Sequence, residues 1–260
     1  MRDPLHAEPV GPVDYPESDG EPMAETDLHR DEMVALIEGL KGRYESRPDV
    51  YVAGNLFFYY EEGKPSAVFA PDTMVVLGVE KRQRRTYKLW EEGRVPDFVL
   101  EVSSKKTSTE DEGNKMVLCR RLGVREYVLF DPEGDYLEPR LQGYRLTGSQ
   151  YRPIPPERDG SLASETLGLR FHIEGRSLRA VDATTGEPLL RPEEERHARR
   201  SAERARRSAE RASAKERRAR AAAERALEAA ERGQSDEARR AERYAARLRE
   251  LGVDPDDADE

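Results

Sequence analysis

The chain holds one cysteine, Cys119, so no internal disulfide can brace it. No run approaches the roughly 18 apolar residues that a membrane helix needs. The start, MRDPLHAEPV, has neither the basic stretch nor the apolar stretch of a secretory signal. These absences read as a soluble, cytoplasmic protein with no membrane contact. The four histidines stand at no metal-ligand spacing from one another or from Cys119, which excludes a zinc site of recognisable pattern. No glycine-rich phosphate loop occurs. Positive charge is also short: the formal net charge is -9, which argues against salt-driven binding of nucleic acid over the whole surface. Any phosphate recognition has to be local.

Of the 260 residues, 37% are charged and 36% hydrophobic, enough for one core plus extended segments but thin for two. Residues 1–27 are rich in Pro, Asp, Glu and Gly without a period and read as a disordered leader. Met33, Leu36, Ile37 and Leu40 then recur at helical spacing behind Asp31 and Glu32, predicting a short helix to about Tyr44. VYVAGNLFFYY (50–60) and TMVVLGV (73–79) read as neighbouring strands across the turn EEGKPSA. FVLEV (98–102) is a third strand, 111–122 a helix closed by Gly123, and YVLFD (127–131) a fourth strand. Two short strands within 135–154 and a last one at 167–175 follow. The order predicts an α/β fold, a mixed sheet flanked by helices.

From Pro192 to Gly252 the composition shifts to Ala, Arg and Glu. Alanines from Ala198 to Ala230 alternate steps of four and three, with Glu216 in one expected place. That 3.5-residue period predicts a coiled-coil tail that pairs copies of the chain weakly, since each buried methyl group contributes only about 0.8 kcal/mol, with a dimer made by the core itself as the alternative. Gly233 is expected to break the helix, and residues 253–260 form an acidic tail. The domain therefore spans 28–191 and the helical tail 192–252.

The chemistry centres on an acid inside an apolar strand. Glu101 in FVLEV either reaches solvent from a sheet edge or is kept inside by partners. Asp97 shares its strand face, yet at about 3.3 Å per residue the two lie about 13 Å apart and cannot share one ion. A second ligand has to come from a neighbouring strand, and Asp72 in APDTMVV stands at the mouth of one. Two carboxylates and a backbone carbonyl, here that of Val102, suffice for Mg²⁺, or Mn²⁺ in its place, which keeps several waters.

The set Pro71-Asp72, Glu101-Val102-Ser103, Lys115 and GVREYVLFDP (123–132) resembles the Uma-two restriction-endonuclease family, within the PD-(D/E)XK nuclease superfamily, over roughly residues 28–185. The resemblance implies a restriction-endonuclease-like fold and Mg²⁺-dependent hydrolysis of DNA. The superfamily carries a lysine two residues after the glutamate, where this chain has Ser103. The resemblance implies that Lys115, from the following helix, takes that role. Lys105 and Lys106 are competing sources of positive charge. Many relatives carry a glutamate where this chain has Asn55 after Gly54. Asp97 is expected to orient the strand entry, and Ser103 to bond phosphate or end the strand. KRQRR at 81–85, with Lys88 and Arg94, is either a local positive edge or a solvated loop, and Trp90 is expected to pack beneath it.

A second reading is a nuclease fold without turnover that acts as a binding or assembly module through its tail. A third, a nucleic-acid arm formed by Arg196 to Arg220, ranks lowest because glutamates are interleaved and aromatics absent.

Overall fold

The computed structural model describes residues 13–18, 20, 26–103 and 111–250. Thr26 caps the first helix, α1 (Asp27–Arg43), by accepting the His29 N–H at 3.2 Å. The helix thus begins one turn before Asp31. It buries His29, Glu32, Met33, Leu36, Ile37 and Leu40 along one stripe. Glu32 is therefore no exposed N-terminal acid: its carboxylate takes Arg191 at 2.7 Å, the Ser177 hydroxyl and the Leu178 N–H.

The stretch expected as one strand is two, β1 (Val50–Ala53) and β2 (Phe58–Tyr59). The break has a steric cause. Asn55 sits at φ 48°, a left-handed conformation that asparagine tolerates better than most residues. A Cβ on Gly54 would lie 2.0 Å from the Asp72 carbonyl oxygen. Beyond it come β3 (Val68–Phe69), β4 (Thr73–Leu77), β5 (Tyr87–Lys88), α2 (Leu89–Glu92) and β6 (Phe98–Val102). A π-helical turn at Asp111–Lys115 leads into α3 (Met116–Leu122), so the expected helix 111–122 is regular only in its second half. Gly123 closes it at φ 91°. The chain continues through β7 (Glu126–Phe130) and the hairpin β8 (Leu141–Thr147) and β9 (Gln150–Pro153). β10 (Leu162–Ser164), β11 (Leu169–Glu174) and β12 (Ser177–Asp182) follow, so the strand expected last is the middle of three.

The main sheet has the order β1-β4-β6-β7-β8-β9, with β6 and β7 parallel and the other pairs antiparallel. β10–β12 form a separate antiparallel sheet, and β3-β2-β5 a small mixed one. The fold is α/β, as its sequence predicts. Strand alternation sorts the core. Phe98, Leu100 and Val102 of β6 join Met33, Leu36 and Leu40 of α1 and Phe171 of β11 on one face. Val99 faces the other way, with Met74, Tyr127, Leu129, Phe58 and Cys119. Each such fully buried side chain contributes about 2 kcal/mol. Glu101 shares the parity of Val99, and so the second face.

Residues 13–18 of the expected leader lie against this fold. Tyr15 packs its ring on Tyr59 and Trp90, and the Tyr59 hydroxyl donates to the Pro16 carbonyl.

α4 (Pro192–Glu250) is one helix. Gly233 does not break it: one glycine costs about 1 kcal/mol, and the flanking Ala, Glu and Arg favour helix. The chain divides into two compact units after Glu195. Among the described residues no helix is long and apolar enough to cross a membrane.

Candidate active site

The antiparallel register pairs Thr73 with Leu100, Met74 with Val99 and Val75 with Phe98. Continued by one residue, it sets Asp72 opposite Glu101, where cross-strand Cβ atoms lie about 5 Å apart. The Asp72 side chain takes the place of a backbone acceptor there, its Oδ2 receiving the Val102 N–H at 2.7 Å. The backbone of Asp72 is fixed from the other side. The Asn55 N–H donates to the Pro71 carbonyl at 2.8 Å, and Gly54 lies against Asp72 with no room for a side chain.

Glu101 is fully buried on an interior strand, so the solvent-facing reading of this acid is excluded. Its Oε2 accepts a hydrogen bond from Lys115 Nζ at 2.8 Å. Lys115 ends the π-helical turn before α3, and its side chain keeps 23% of its exposure. Such a contact needs the crossover between parallel β6 and β7 to fold back over the strand it leaves. α3 does so by burying Cys119 and packing Leu118 and Leu122 on the sheet. Burial pushes the Cys119 thiol up, and the Glu101 carboxylate pushes it the same way. The thiol therefore stays protonated beneath the site.

His29 is a residue that sequence reasoning missed. Its Nε2 lies 3.2 Å from Asp72 Oδ2, and the ring is almost fully buried. The available signal was its place one turn ahead of Met33, where a polar ring extends an apolar stripe.

The remaining candidates fall in three groups. Ser103 shares the strand face of Glu101 by alternation and donates its N–H to the Phe130 carbonyl at 2.7 Å. Its hydroxyl is buried and has no hydrogen-bond partner among the described residues. Asp97 lies apart at the far end of β6, accepting the Leu77 N–H at 2.7 Å and pairing with Arg125 at 3.3 Å, so it ties β6 to the end of β4. Lys105 and Lys106 lie outside the described residues.

The basic loop is largely committed to the protein itself. Arg84 is buried 4.2 Å over the Tyr51 ring with its guanidinium on Glu92, and Arg82 reaches the same carboxylate at 2.6 Å. Lys81 donates to the carbonyls of Tyr44 and Glu45, and Arg85 pairs with Glu17.

The chemistry of the site is thus two carboxylates on neighbouring strands, a buried hydroxyl and a half-buried ammonium, with an imidazole behind one acid. Among the described residues no three His, Cys, Asp or Glu side chains group as a metal cluster.

The family model described as "Putative restriction endonuclease" (Uma2) matches residues 12–179. The chain belongs to this family. Its members are a nuclease family by that description, and the match begins at residue 12, ahead of α1. No curated protein matches the chain. Among solved structures, it is similar to a "putative nuclease belonging to DUF820" from Anabaena variabilis, at 14% identity and TM-score 0.42, over 55% of this chain and 75% of that one.

Proposed function

We propose that this Uma2 protein is an endonuclease that hydrolyses DNA phosphodiester bonds with Mg²⁺, or Mn²⁺ in its place. Asp72, Glu101 and the Val102 carbonyl hold the ion, and Lys115 is the catalytic cation. The donor set fits: all the ligands are oxygen, two carry charge, and the Ser103 hydroxyl on the same face, without a hydrogen-bond partner among the described residues, can bond a water or a phosphate oxygen. The bound ion supplies a more acidic water and offsets charge on the phosphate.

The observation that carries the proposal is the 2.8 Å contact between Lys115 and the buried Glu101. Merely structural buried ion pairs seldom repay their desolvation. Here the ammonium comes from a separate element and keeps partial exposure, so it can serve a phosphate beside the acid. Asn55 brings no charge, and its left-handed backbone gives it a conformational role. That position favours the second reading, a fold that binds without cutting.

Supercoiled DNA incubated with Mg²⁺, Mn²⁺ or EDTA decides between the two. Nicking that EDTA and Glu101→Ala both abolish is the expected result, with Lys115→Ala as inactive as Glu101→Ala and Lys105→Ala or Lys106→Ala less affected. Cleavage by Glu101→Ala equal to that of the unaltered protein overturns the assignment. DNA binding with no metal-dependent cleavage selects the second reading.

A further inference from the structure

Charge is unevenly divided along the chain. Residues 1–195 carry 26 Lys or Arg against 38 Asp or Glu, whereas residues 196–220 carry 11 against three. The next thirty residues, 221–250, carry seven of each. Net positive charge is thus concentrated in the first half of α4.

That charge has an orientation. Seven cations recur from Arg196 through Arg200, Arg204 and Arg211 to Arg218 at steps of four, four, three, four, four and three. At 3.6 residues per turn these steps confine them to a stripe about 100° wide. The alanine seam lies roughly opposite. The stripe is exposed throughout. Only Arg207 in it has an acid partner among the described residues, Glu203 at 2.7 Å. The glutamates of this segment therefore leave the stripe largely unneutralised, which reverses the low rank its composition suggests. From Arg196 to Arg218 the helix rises about 33 Å, close to one turn of B-DNA, roughly 34 Å.

From this we infer that the Arg196–Arg218 face of α4 is a second binding surface, which holds the phosphate backbone of duplex DNA without reading bases. The partner follows from what the helix lacks as well as from its charge. No Phe, Tyr or Trp stands between Arg196 and Arg243 for single-strand bases to stack on, and His197 is the one ring there. Leu227 is the only large apolar residue in that span, too little to seat a helix in a lipid surface. Guanidinium groups at one-turn intervals match a polyphosphate. The choice of DNA as occupant rests on the nuclease reading, but the binding does not require turnover.

The test is fluorescence anisotropy of a labelled mixed-sequence duplex with the full chain in EDTA, over a salt series. One variant replaces Arg200, Arg204, Arg211 and Arg218 by Gln. A control replaces Arg225, Arg232, Arg240 and Arg247 by Gln in the charge-balanced half. Both retain helix-favouring residues, which circular dichroism checks. The first variant is expected to bind at least about tenfold more weakly, with the slope of log affinity against log salt reduced by about 3 to 4. The control is expected to change affinity by less than about threefold. Equal losses in both variants, or no loss in the first, overturn the inference. So does displacement of DNA by polyglutamate at equal charge, or tighter binding to phosphatidylserine vesicles than to the duplex. An uncleaving protein that still shows the first variant's loss sinks the active site and keeps the arm; a cleaving protein without that loss does the reverse.

Discussion

Removing the two ends of the buried pair should have unequal effects. Glu101 has no exposure, while the Lys115 side chain keeps 23%. Lys115→Met strips the ammonium from a carboxylate that cannot reach water, and breaking a buried pair in this way costs about 3 to 5 kcal/mol. Glu101→Gln leaves the charge on a long flexible stem that can swing outward, while the amide retains hydrogen-bonding capacity, so the cost falls to about 1 kcal/mol. The double variant should be more stable than Lys115→Met alone, giving a coupling of about 2 kcal/mol. Urea unfolding followed by circular dichroism reads all three. On the proposed reading, Mg²⁺ at about 100 times its dissociation constant adds about 2.7 kcal/mol wherever Glu101 is intact and much less in Glu101→Gln. Equal costs for the two single variants, or a greater cost for Glu101→Gln, would refute the account of which partner is trapped.

Gly54→Ala should destabilise the domain by about 1 to 3 kcal/mol and weaken metal binding, because the added Cβ would meet the Asp72 carbonyl oxygen at 2.0 Å; unchanged calorimetric titration would separate Gly54 from the site. Burial raises the Asp131 carboxyl, but the N–H groups of Tyr136, Gly134, Leu137 and Glu133 outweigh it and hold the group below its ordinary range. Its stabilising effect is then present above about pH 4 and lost as the pH falls through the lowered value, so Asp131→Asn should cost about 1 to 3 kcal/mol at pH 7 and progressively less in acid, as urea midpoints would show. Truncation after Glu195 should leave a folded core, since it spares the Arg191–Glu32 and Arg179–Glu194 pairs, and light scattering should show fewer subunits than the full chain if the alanine seam pairs copies.

What the sequence made readable follows from what was local. β4, β6 and β7 lie inside the sheet and are covered on both faces, so TMVVL, FVLEV and EYVLF appear as continuous apolar runs. An acid within such a run stands out, and the proximity of Lys115 could be anticipated because the crossover from β6 to β7 brings it back to the same strand end. Other features depend on partners far along the chain. Glu32 looks like a helix-start acid until Arg191, 159 residues on, reaches it. KRQRR looks like an open basic edge until Tyr51 and Glu92 take up Arg84. β10 has only three residues, and β12 breaks its apolar positions with Ser, Arg and Asp, so neither shows a run. His29 gains meaning only when α1 docks beside Asp72.

The same contacts bear on how the site can exist before anything binds to it. Two carboxylates facing one another across a strand pair repel when no cation lies between them, and the sheet around them is too dry to screen that repulsion. Each acid here meets a separate nitrogen group: Asp72 the His29 ring from α1, and Glu101 the Lys115 ammonium from the crossover. The two groups enter from different elements, so α1 and α3 must both dock for the acids to be held. On the proposed reading, a divalent cation held by Asp72 and Glu101 would compete with Lys115 for the Glu101 carboxylate. The Lys115 ammonium, at the same strand end and partly exposed, would then meet a phosphate. On the proposed reading, the contact that offsets the Glu101 charge is therefore the one that supplies the catalytic charge.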